Sequence, residues 1–351
     1  MTRLGFRGKI WELIKNYLSD RKQYVKIGEH ESELVAIRAG VPQGSNLGPL
    51  LFVIMLSDIQ YLNLNATLIE FADDILLLWT DPVIDIAEKI ESDLEKINNY
   101  YKNNGLTINS SKCKFMTLGK LDTSHAEEKL IYYGYEKVQE LKYLGIIIDD
   151  KLNMKAQHQR VVIKLTNALR VISIIRNFLP GSSVWQFYNA FLLSHLNYCS
   201  FMLIRLPIKE IKRLQSIQNR GIKLIHRLDP QFPTVELFKR YAPNTLPVVG
   251  IIYLSILTLV RKALNNPSEA FNIYDMMSGE RRKNLISFKR FRTNYVMKDV
   301  TYIGPKIYNQ LPDEIRNTTE LNLFKRKVKN YLIEKIHVLL DDSCLLLNKI
   351  V

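Results

Sequence analysis

Cysteine is scarce in this sequence. Among 351 residues there are three cysteines, Cys113, Cys199 and Cys344, and they lie far apart. An odd number of widely spaced cysteines fits neither a disulfide framework nor the paired spacing of a zinc site. We therefore expect an intracellular protein, in the nucleus or the cytoplasm, that folds without cross-links.

Long apolar runs are also missing. The longest, VVGIIYLSILTLV at residues 248–260, is shorter than the roughly 20 residues of a membrane-spanning helix. The N-terminal stretch MTRLGFRGKIWEL lacks the uninterrupted apolar core of a signal peptide. The sequence thus predicts no membrane partner and a buried helix at 248–260.

Acidic residues are outnumbered by basic ones. The chain has 35 Asp and Glu against 49 Lys and Arg, which gives a net charge of +14. Such an excess suits a polyanionic partner, and nucleic acid is the commonest one. The alternative for each basic patch is a solvated helix face. The residues predicted to contact a nucleic-acid backbone are Arg160, Lys164, Arg213, Arg220, Arg281, Arg282, Lys289 and Arg290.

The hydrophobic pattern changes near residue 150, although no repeat or Pro/Gly/Ser-rich linker separates the two parts. Residues 1–148 mix strand-like runs with helices. Beyond them, apolar residues recur every three or four positions, as they do from Val161 to Ile175 and again within residues 209–227, which is the spacing of one buried helix face. We predict an α+β fold whose architecture changes near residue 150.

The first part also contains one clear amphipathic helix. Ile86, Ile90, Leu94, Ile97 and Tyr101 follow the spacing of a helix face, and a glycine four residues later supplies a stop signal. We expect this helix to pack against the strands of the same region.

Two adjacent carboxylates interrupt the apolar run TLIEFADDILLLW at residues 67–79. Residues 68–72 and 75–79 are of strand length, so we predict a hairpin with Asp73 and Asp74 at its tip. Adjacent carboxylates repel each other and are costly to desolvate unless a cation or a tight turn accounts for them. They could bind a divalent cation such as Mg²⁺, which prefers oxygen ligands. The alternative is an ordinary turn that contains aspartate.

A loop rich in small residues precedes this hairpin. The stretch IRAGVPQGSNLGPLLFVIMLSDI, residues 37–59, begins as a loop and continues as an apolar segment. Pro49 heads that segment and suits the first turn of a helix. Small residues allow a backbone to approach a flat ligand closely, and Gln43 adds a hydrogen-bonding side chain.

These segments, in this order, resemble signature motifs of reverse transcriptases. GVPQGSNLGPLLF and FADD are similar to the sequences that these motifs have in non-LTR (LINE-type) retrotransposons. NNGLTINSSKCKFMTLG resembles the next palm motif, and LKYLGIIIDDKLNMKAQH the primer-grip strand pair and the entry to the thumb. YIGPKIYNQLPDEIRN and FKRKVKNYL resemble the C-terminal region of such elements. The resemblance covers nearly the whole chain. Group II intron enzymes share the palm, but the sequence of their loop differs, so they match less well.

The resemblance implies a partial right-hand polymerase. Residues 1–148 would form part of the palm, an antiparallel sheet plus helices. An all-α thumb at 149–240 and a basic C-terminal helical region at 241–351 would follow. The implied activity is RNA-directed DNA synthesis by two-metal nucleotidyl transfer with Mg²⁺. The implied partners are an RNA template, a DNA primer and deoxynucleoside triphosphates.

The resemblance also assigns roles to residues. Asp73 would be a metal ligand, and Asp74 the neighbouring carboxylate that helps to set the field at the metal. Lys112 would lie near the triphosphate as charge stabiliser or proton donor, unless it is a solvated loop lysine. The residues placed against the incoming nucleotide and template base are Gln43, Gly44 and Ser45. Those of the primer grip are Lys142, Tyr143, Leu144 and Gly145.

One expected element has no counterpart in this sequence. Two-metal polymerases need a further aspartate, which relatives carry on a strand upstream of the helix that GFRGKIWELIKNYLSDR resembles. Asp20 and Asp58 do not replace it. We therefore expect a C-terminal part of a reverse transcriptase that is inactive alone and exposes an apolar palm face, and an upstream polypeptide could supply the fingers and the first aspartate. The alternatives are a catalytically dead nucleic-acid-binding remnant and a non-functional relic.

Overall fold

The computed structural model describes residues 5–80, 86–119, 123–266, 280–281, 285–286 and 299–341. They form a mixed α/β protein that is mainly helical with small sheets. The chain divides into two compact units, the first comprising residues 1–115 and 120–137 and the second residues 116–119 and 138–351.

In its described residues, the first unit contains four helices and eight short strands. The helices are α1 (Gly8–Leu18), α2 (Leu47–Leu56), α3 (Ile86–Asn103) and α4 (Ser124–Tyr132). The strands are β1 (Lys22–Gln23), β2 (Lys26–Ile27), β3 (His30–Glu31), β4 (Val35–Ala36), β5 (Thr67–Phe71), β6 (Asp74–Leu78), β7 (Lys114–Phe115) and β8 (Glu136–Lys137). Short 3₁₀ turns lie at Ile59–Tyr61 and Ser110–Lys112.

The second unit is mainly helical. Its strands are β9 (Glu140–Tyr143), β10 (Ile146–Asp149), β11 (Glu280–Arg281) and β12 (Leu285–Ile286). Its helices are α5 (Lys155–Ile175), α6 (Gly181–Phe187), α7 (Ser194–Asn197), α8 (Ile208–Ile225), α9 (Thr234–Tyr241), α10 (Val248–Asn265), α11 (Val300–Tyr308), α12 (Asp313–Arg316), α13 (Leu321–Glu334) and α14 (Ile336–Leu339). A π-helical segment, Tyr188–Leu193, joins α6 to α7, and a 3₁₀ helix covers Ser200–Arg205.

The expected continuous antiparallel sheet is absent from the described residues. Every strand there has a single partner, so the strands form six two-stranded sheets, of which β7–β8 is parallel and the others antiparallel. A two-stranded ribbon is marginally stable by itself and needs a helix to pack against. In the first unit, α3 supplies that support.

The amphipathic helix expected from residue 86 is confirmed as α3. Its buried face includes Ile90 and Leu94, which form one small core with Leu130 of α4. Further along the helix, Tyr100 packs with Leu56 and Ile59 in a second small core. The hairpin β5–β6 contributes partly buried residues to both cores, so α3 is the platform that carries it.

A single hydrophobic core extends from Met154 to Leu339 in the second unit. The helices predicted from the apolar spacing at 161–175 and 209–227 are confirmed as α5 and α8, which pack on each other. The expected buried helix at 248–260 is confirmed as α10. By length and composition alone α10 could also cross a membrane, but here most of its residues are packed against other helices.

Candidate active site

The two adjacent aspartates lie at the end of the β5–β6 hairpin. The pairing of Phe71 with Asp74 leaves Ala72 and Asp73 as the two turn residues. The predicted tip of Asp73 and Asp74 is therefore wrong by one residue, because Asp74 is the first residue of β6. Both registers keep the same side chains on the inner face, so the apolar pattern could not distinguish them.

The turn is conformationally strained. Ala72 has a φ of +53°, a region that residues with a Cβ adopt rarely and at a cost. Strained backbone of this kind is concentrated at functional sites, where surrounding structure holds it. Here it lies directly before the two carboxylates.

Both carboxylates are open to a ligand. Asp73 and Asp74 are exposed, and neither has a hydrogen-bond or ion-pair partner among the described residues. Free carboxylate oxygens are the ligands that Mg²⁺ prefers. No group of three or more His, Cys, Asp or Glu side chains that could hold a metal occurs in the described part of the chain. The two free carboxylates therefore fit a Mg²⁺ site, but only as part of its ligand set.

The hairpin buries one face only. Leu68, Ile75 and Leu77 pack against the small cores on α3. On the opposite face, which Asp74 shares by strand alternation, Phe71 is 61% and Leu78 40% exposed. Exposed apolar side chains thus occur on this face of the hairpin, and the expected bare palm face stays a prediction. Other large apolar side chains that are exposed in the first unit include Ile10, Leu13, Val25, Ile27, Leu50, Val53 and Tyr61.

The glycine-rich loop is held by a serine hydroxyl. The Ser45 Oγ donates to the Pro42 carbonyl at 2.9 Å and accepts the Gly48 N–H at 3.0 Å and the Tyr17 hydroxyl proton. A Cβ at position 48 would lie 2.9 Å from that oxygen and 3.0 Å from the Pro42 carbonyl oxygen, so a larger residue there would displace the serine hydroxyl that holds the loop. The Ser45 hydroxyl is therefore fully engaged within the protein, and its predicted place against the nucleotide stays a prediction.

The neighbouring loop residues are free. Gln43 and Gly44 are exposed, and Gly44 has a φ of +79° that suits a residue without a Cβ. Pro49 lies in the first turn of α2, as expected. Lys112 ends a 3₁₀ turn with its side chain exposed and without a partner in the described ranges. The roles assigned to Gln43, Gly44 and Lys112 are untested by this geometry.

In the second unit, the segment predicted as a primer grip is a tight hairpin. Lys142 and Tyr143 end β9, and the turn residues Leu144 and Gly145 have φ of +45° and +82°. Positive φ at both central residues is the pattern of a type I′ hairpin turn. The hydroxyl of Tyr198 donates to the Leu144 carbonyl, so a helix end from the same unit fixes this turn.

The hairpin is also tied to α5. The Gln157 Oε1 accepts the Ile147 N–H at 3.0 Å. The carboxylate of Asp149 accepts the backbone N–H groups of Lys151, Asn153 and Met154 at 3.1, 3.0 and 2.9 Å. Sequence analysis missed these supporting side chains. The two consecutive aspartates at 149–150, at the end of a strand-like run, were the available signal, because aspartate side chains commonly accept backbone N–H groups in turns.

The cationic residues of α8 form a stripe. Its apolar side is buried, with Leu214, Ile222 and Ile225 in the core, and basic side chains occupy the other side. Arg213 and Arg220 are exposed, as predicted for residues that meet a polyanion. The basic residues along α8 and its C-terminal end are Lys209, Lys212, Arg213, Arg220, Lys223 and Arg227.

Arg160 and Lys164 form a second basic group on α5. Lys164 is exposed and Arg160 partly so. Burial lowers the pKa of the nearby His195 imidazole, and the charges of Lys164 and Arg160 lower it further. The two cations therefore lie close enough to His195 to act on it electrostatically. Arg282, Lys289 and Arg290 lie outside the described residues, and so does the side chain of Arg281.

Residues 1–148 of the chain are similar in sequence to known proteins. The family model described as reverse transcriptase (RNA-dependent DNA polymerase) matches residues 1–148. The probable RNA-directed DNA polymerase from transposon BS of Drosophila melanogaster is 31% identical over 157 residues, which cover 42% of this chain and 17% of that protein.

Two further relatives from Drosophila melanogaster are similar. The RNA-directed DNA polymerase from mobile element jockey is 27% identical over 155 residues, 42% of this chain and 17% of the relative. The probable RNA-directed DNA polymerase from transposon X-element is 26% identical over 223 residues, 61% of this chain and 24% of the relative. The chain thus spans 17% to 24% of the length of these curated relatives.

Proposed function

We propose that this chain carries part of the active site of an RNA-directed DNA polymerase, because its residues 1–148 belong to the reverse transcriptases of LINE-type retrotransposons. The observation that carries the proposal is the open carboxylate pair, Asp73 and Asp74, at the end of a hairpin. The substrates would be an RNA template, a DNA primer and deoxynucleoside triphosphates.

The residues of the first unit have distinct parts in this proposal. Asp73 is a Mg²⁺ ligand and Asp74 a supporting carboxylate. Bound Mg²⁺ supplies the charge that lowers the pKa of the primer 3′ hydroxyl and neutralises the triphosphate. Gln43, Gly44 and Ser45 lie against the incoming nucleotide and template base, and the Ser45 hydroxyl also holds the loop in shape. Lys112 neutralises the triphosphate.

The second unit positions the primer and binds the duplex. In the proposal, Lys142 to Gly145 form a primer grip whose turn is fixed by Tyr198. A partial palm, a thumb and a C-terminal helical region correspond to residues 1–148, 149–240 and 241–351. The turn at Leu144 and Gly145, where both residues have positive φ, supports the primer-grip assignment, because a rigid turn can hold a primer end in register.

We further propose that a polypeptide upstream of residue 1 completes the site. Three observations support it: both outer edges of the β5–β6 ribbon lack a strand partner in the described ranges, one hairpin face is apolar and exposed, and no third metal-binding group accompanies the aspartates there. An added strand would pair with the free edge, cover Phe71 and supply the further carboxylate.

The first test compares the 351-residue chain with the same chain co-expressed with, or extended by, its upstream polypeptide. We expect the chain alone to give no primer extension on an RNA template, and the completed protein to extend the primer in the presence of Mg²⁺. The measurement is product length on a denaturing gel. Extension by the chain alone that Asp73→Ala abolishes would refute the need for an upstream partner.

A catalytically dead nucleic-acid-binding protein is a second candidate, and the cationic stripe on α8 favours it. Contacts to phosphate release counterions, so the slope of log K against log salt reports their number, at about 0.9 per phosphate for duplex DNA. Binding without primer extension, even by the completed protein, would favour this candidate over the polymerase.

Arg220 is an exposed member of the cationic stripe on α8. Arg220→Gln should weaken binding of an RNA–DNA duplex about equally for all sequences and reduce the salt slope by about one contact. The matched control is Lys262→Gln, which removes the same charge from an exposed position on α10. Equal slopes for Arg220→Gln and the unaltered chain, measured by fluorescence anisotropy from 50 to 300 mM salt, would exclude Arg220 as a phosphate contact.

A further inference from the structure

Asp93 is a charged residue on the otherwise mostly apolar buried face of α3. It is fully buried on α3, where the other residues of the buried face include Ile90, Leu94 and Ile97. Burying a carboxylate is costly unless hydrogen bonds replace its hydration. A carboxylate in this position therefore has to be explained by its partners.

Four N–H donors surround the carboxylate. Oδ1 accepts the backbone N–H and the side-chain amide of Asn65, each at 2.9 Å. Oδ2 accepts the backbone N–H of Ala66 at 2.9 Å and the indole N–H of Trp79 at 3.0 Å. None of these donors is a cation. Hydrogen bonds to an ionised acceptor are stronger than neutral ones, so the carboxylate holds its partners firmly.

The position of these donors along the chain is the decisive observation. Ala66 directly precedes β5, and Trp79 directly follows β6. One carboxylate therefore binds the chain where it enters the hairpin and where it leaves. We infer that Asp93 is a positioning residue, which clamps the base of the hairpin to α3 and thereby fixes Asp73 and Asp74 at its tip.

The hairpin converts a small movement at the base into a larger one at the tip. Each strand has five residues, so the tip lies about 17 Å from the base. A tilt of about 5° at the base would move the carboxylates by about 1.5 Å, enough to misplace a metal ligand. The inference rests on the proposed function, since it matters only if the tip binds a metal.

The test uses the 351-residue chain and Mn²⁺ as the probe. Mn²⁺ broadens the NMR signals of nearby amides, so weak binding at residues 72–75 is measurable. Asp93→Asn keeps the size of the side chain but turns an N–H donor towards the donors around it. We expect this variant to need about tenfold more Mn²⁺ for half-broadening, and its amides in 67–78 to exchange faster with solvent.

Two more variants complete the set. Trp79→Phe removes one donor and keeps an aromatic ring, so a loss of two- to threefold is expected even if Asp93→Asn does not fold. The control is Glu91→Gln on the same helix, whose carboxylate pairs with Lys129 at 2.6 Å and not with the hairpin. This control should leave both Mn²⁺ broadening and hairpin exchange unchanged.

The outcomes separate the inference from the proposed function. Broadening that persists unchanged in Asp73→Asn, or that is missing from the unaltered chain, contradicts the proposed metal site. The clamp is then judged by exchange alone, and unchanged hairpin exchange in Asp93→Asn overturns it. If Asp73→Asn abolishes broadening but Asp93→Asn and Trp79→Phe match the unaltered chain, the metal site stands and the clamp is refuted. A general loss of protection in Trp79→Phe that includes α10 would also refute it, because the effect would then not be confined to the hairpin.

Discussion

Asp73→Asn should reduce primer extension by the completed polymerase at least about a thousandfold, which corresponds to roughly 4 kcal/mol of transition-state stabilisation. Asparagine keeps one oxygen and the size of the side chain but removes the negative charge that holds Mg²⁺. The turn position of Asp73 tolerates either residue, so the fold of the hairpin should survive. Single-turnover primer extension on an RNA template measures the effect.

Two comparisons make this result specific. Asp74→Asn should cost less, because Asp74 is assigned a supporting role. Glu70→Gln removes a carboxylate from the same hairpin and should leave extension close to that of the unaltered protein. Burial raises the pKa of Glu70, which means that folding disfavours its charged form, so replacing it by the neutral glutamine should not destabilise the hairpin. Retention of more than a tenth of the activity by Asp73→Asn would contradict its role as a metal ligand.

Sequence reasoning succeeded where the determinants are local. The spacing of apolar residues located α3, α5 and α8, since a helix face repeats every three or four residues, and one long apolar run located α10. Two apolar runs of strand length on either side of Asp73 and Asp74 located the hairpin. The exact turn residues were missed because Asp74 joins β6 without changing which side chains face α3.

The supporting contacts could not be predicted in this way. Tyr17 reaches Ser45 across 28 residues, and Tyr198 reaches Leu144 across 54, so no local pattern marks them. Asp93 is an intermediate case. It interrupts the apolar stripe of α3 between Ile90 and Leu94, and a carboxylate on a buried helix face is a visible signal that a buried partner exists. The sequence does not show which residues are the partners of Asp93.

Packing in the second unit leads to the other large effect. Gly304 of α11 lies against α10, where an added Cβ would be 2.6 Å from Cγ2 of Val260 and 3.6 Å from Cγ2 of Ile256. Val260 and Ile256 are fully buried, so neither can move aside cheaply. Gly304→Ala should therefore destabilise the protein by about 1 to 3 kcal/mol, despite the roughly 1 kcal/mol that alanine gains over glycine in a helix.

A double-mutant cycle identifies the clash as the cause. Val260→Ala alone should cost about 2 kcal/mol by leaving a cavity. Combined with Gly304→Ala, it makes room for the new methyl group, so the double variant should be more stable than the sum of the single effects predicts. Gly181→Ala is the matched control, because an added Cβ there meets nothing within 4 Å. Urea unfolding followed by circular dichroism measures all four variants. Additive effects, or a Gly304→Ala variant as stable as the unaltered chain, would mean that α10 and α11 are not packed as closely as the 2.6 Å approach requires.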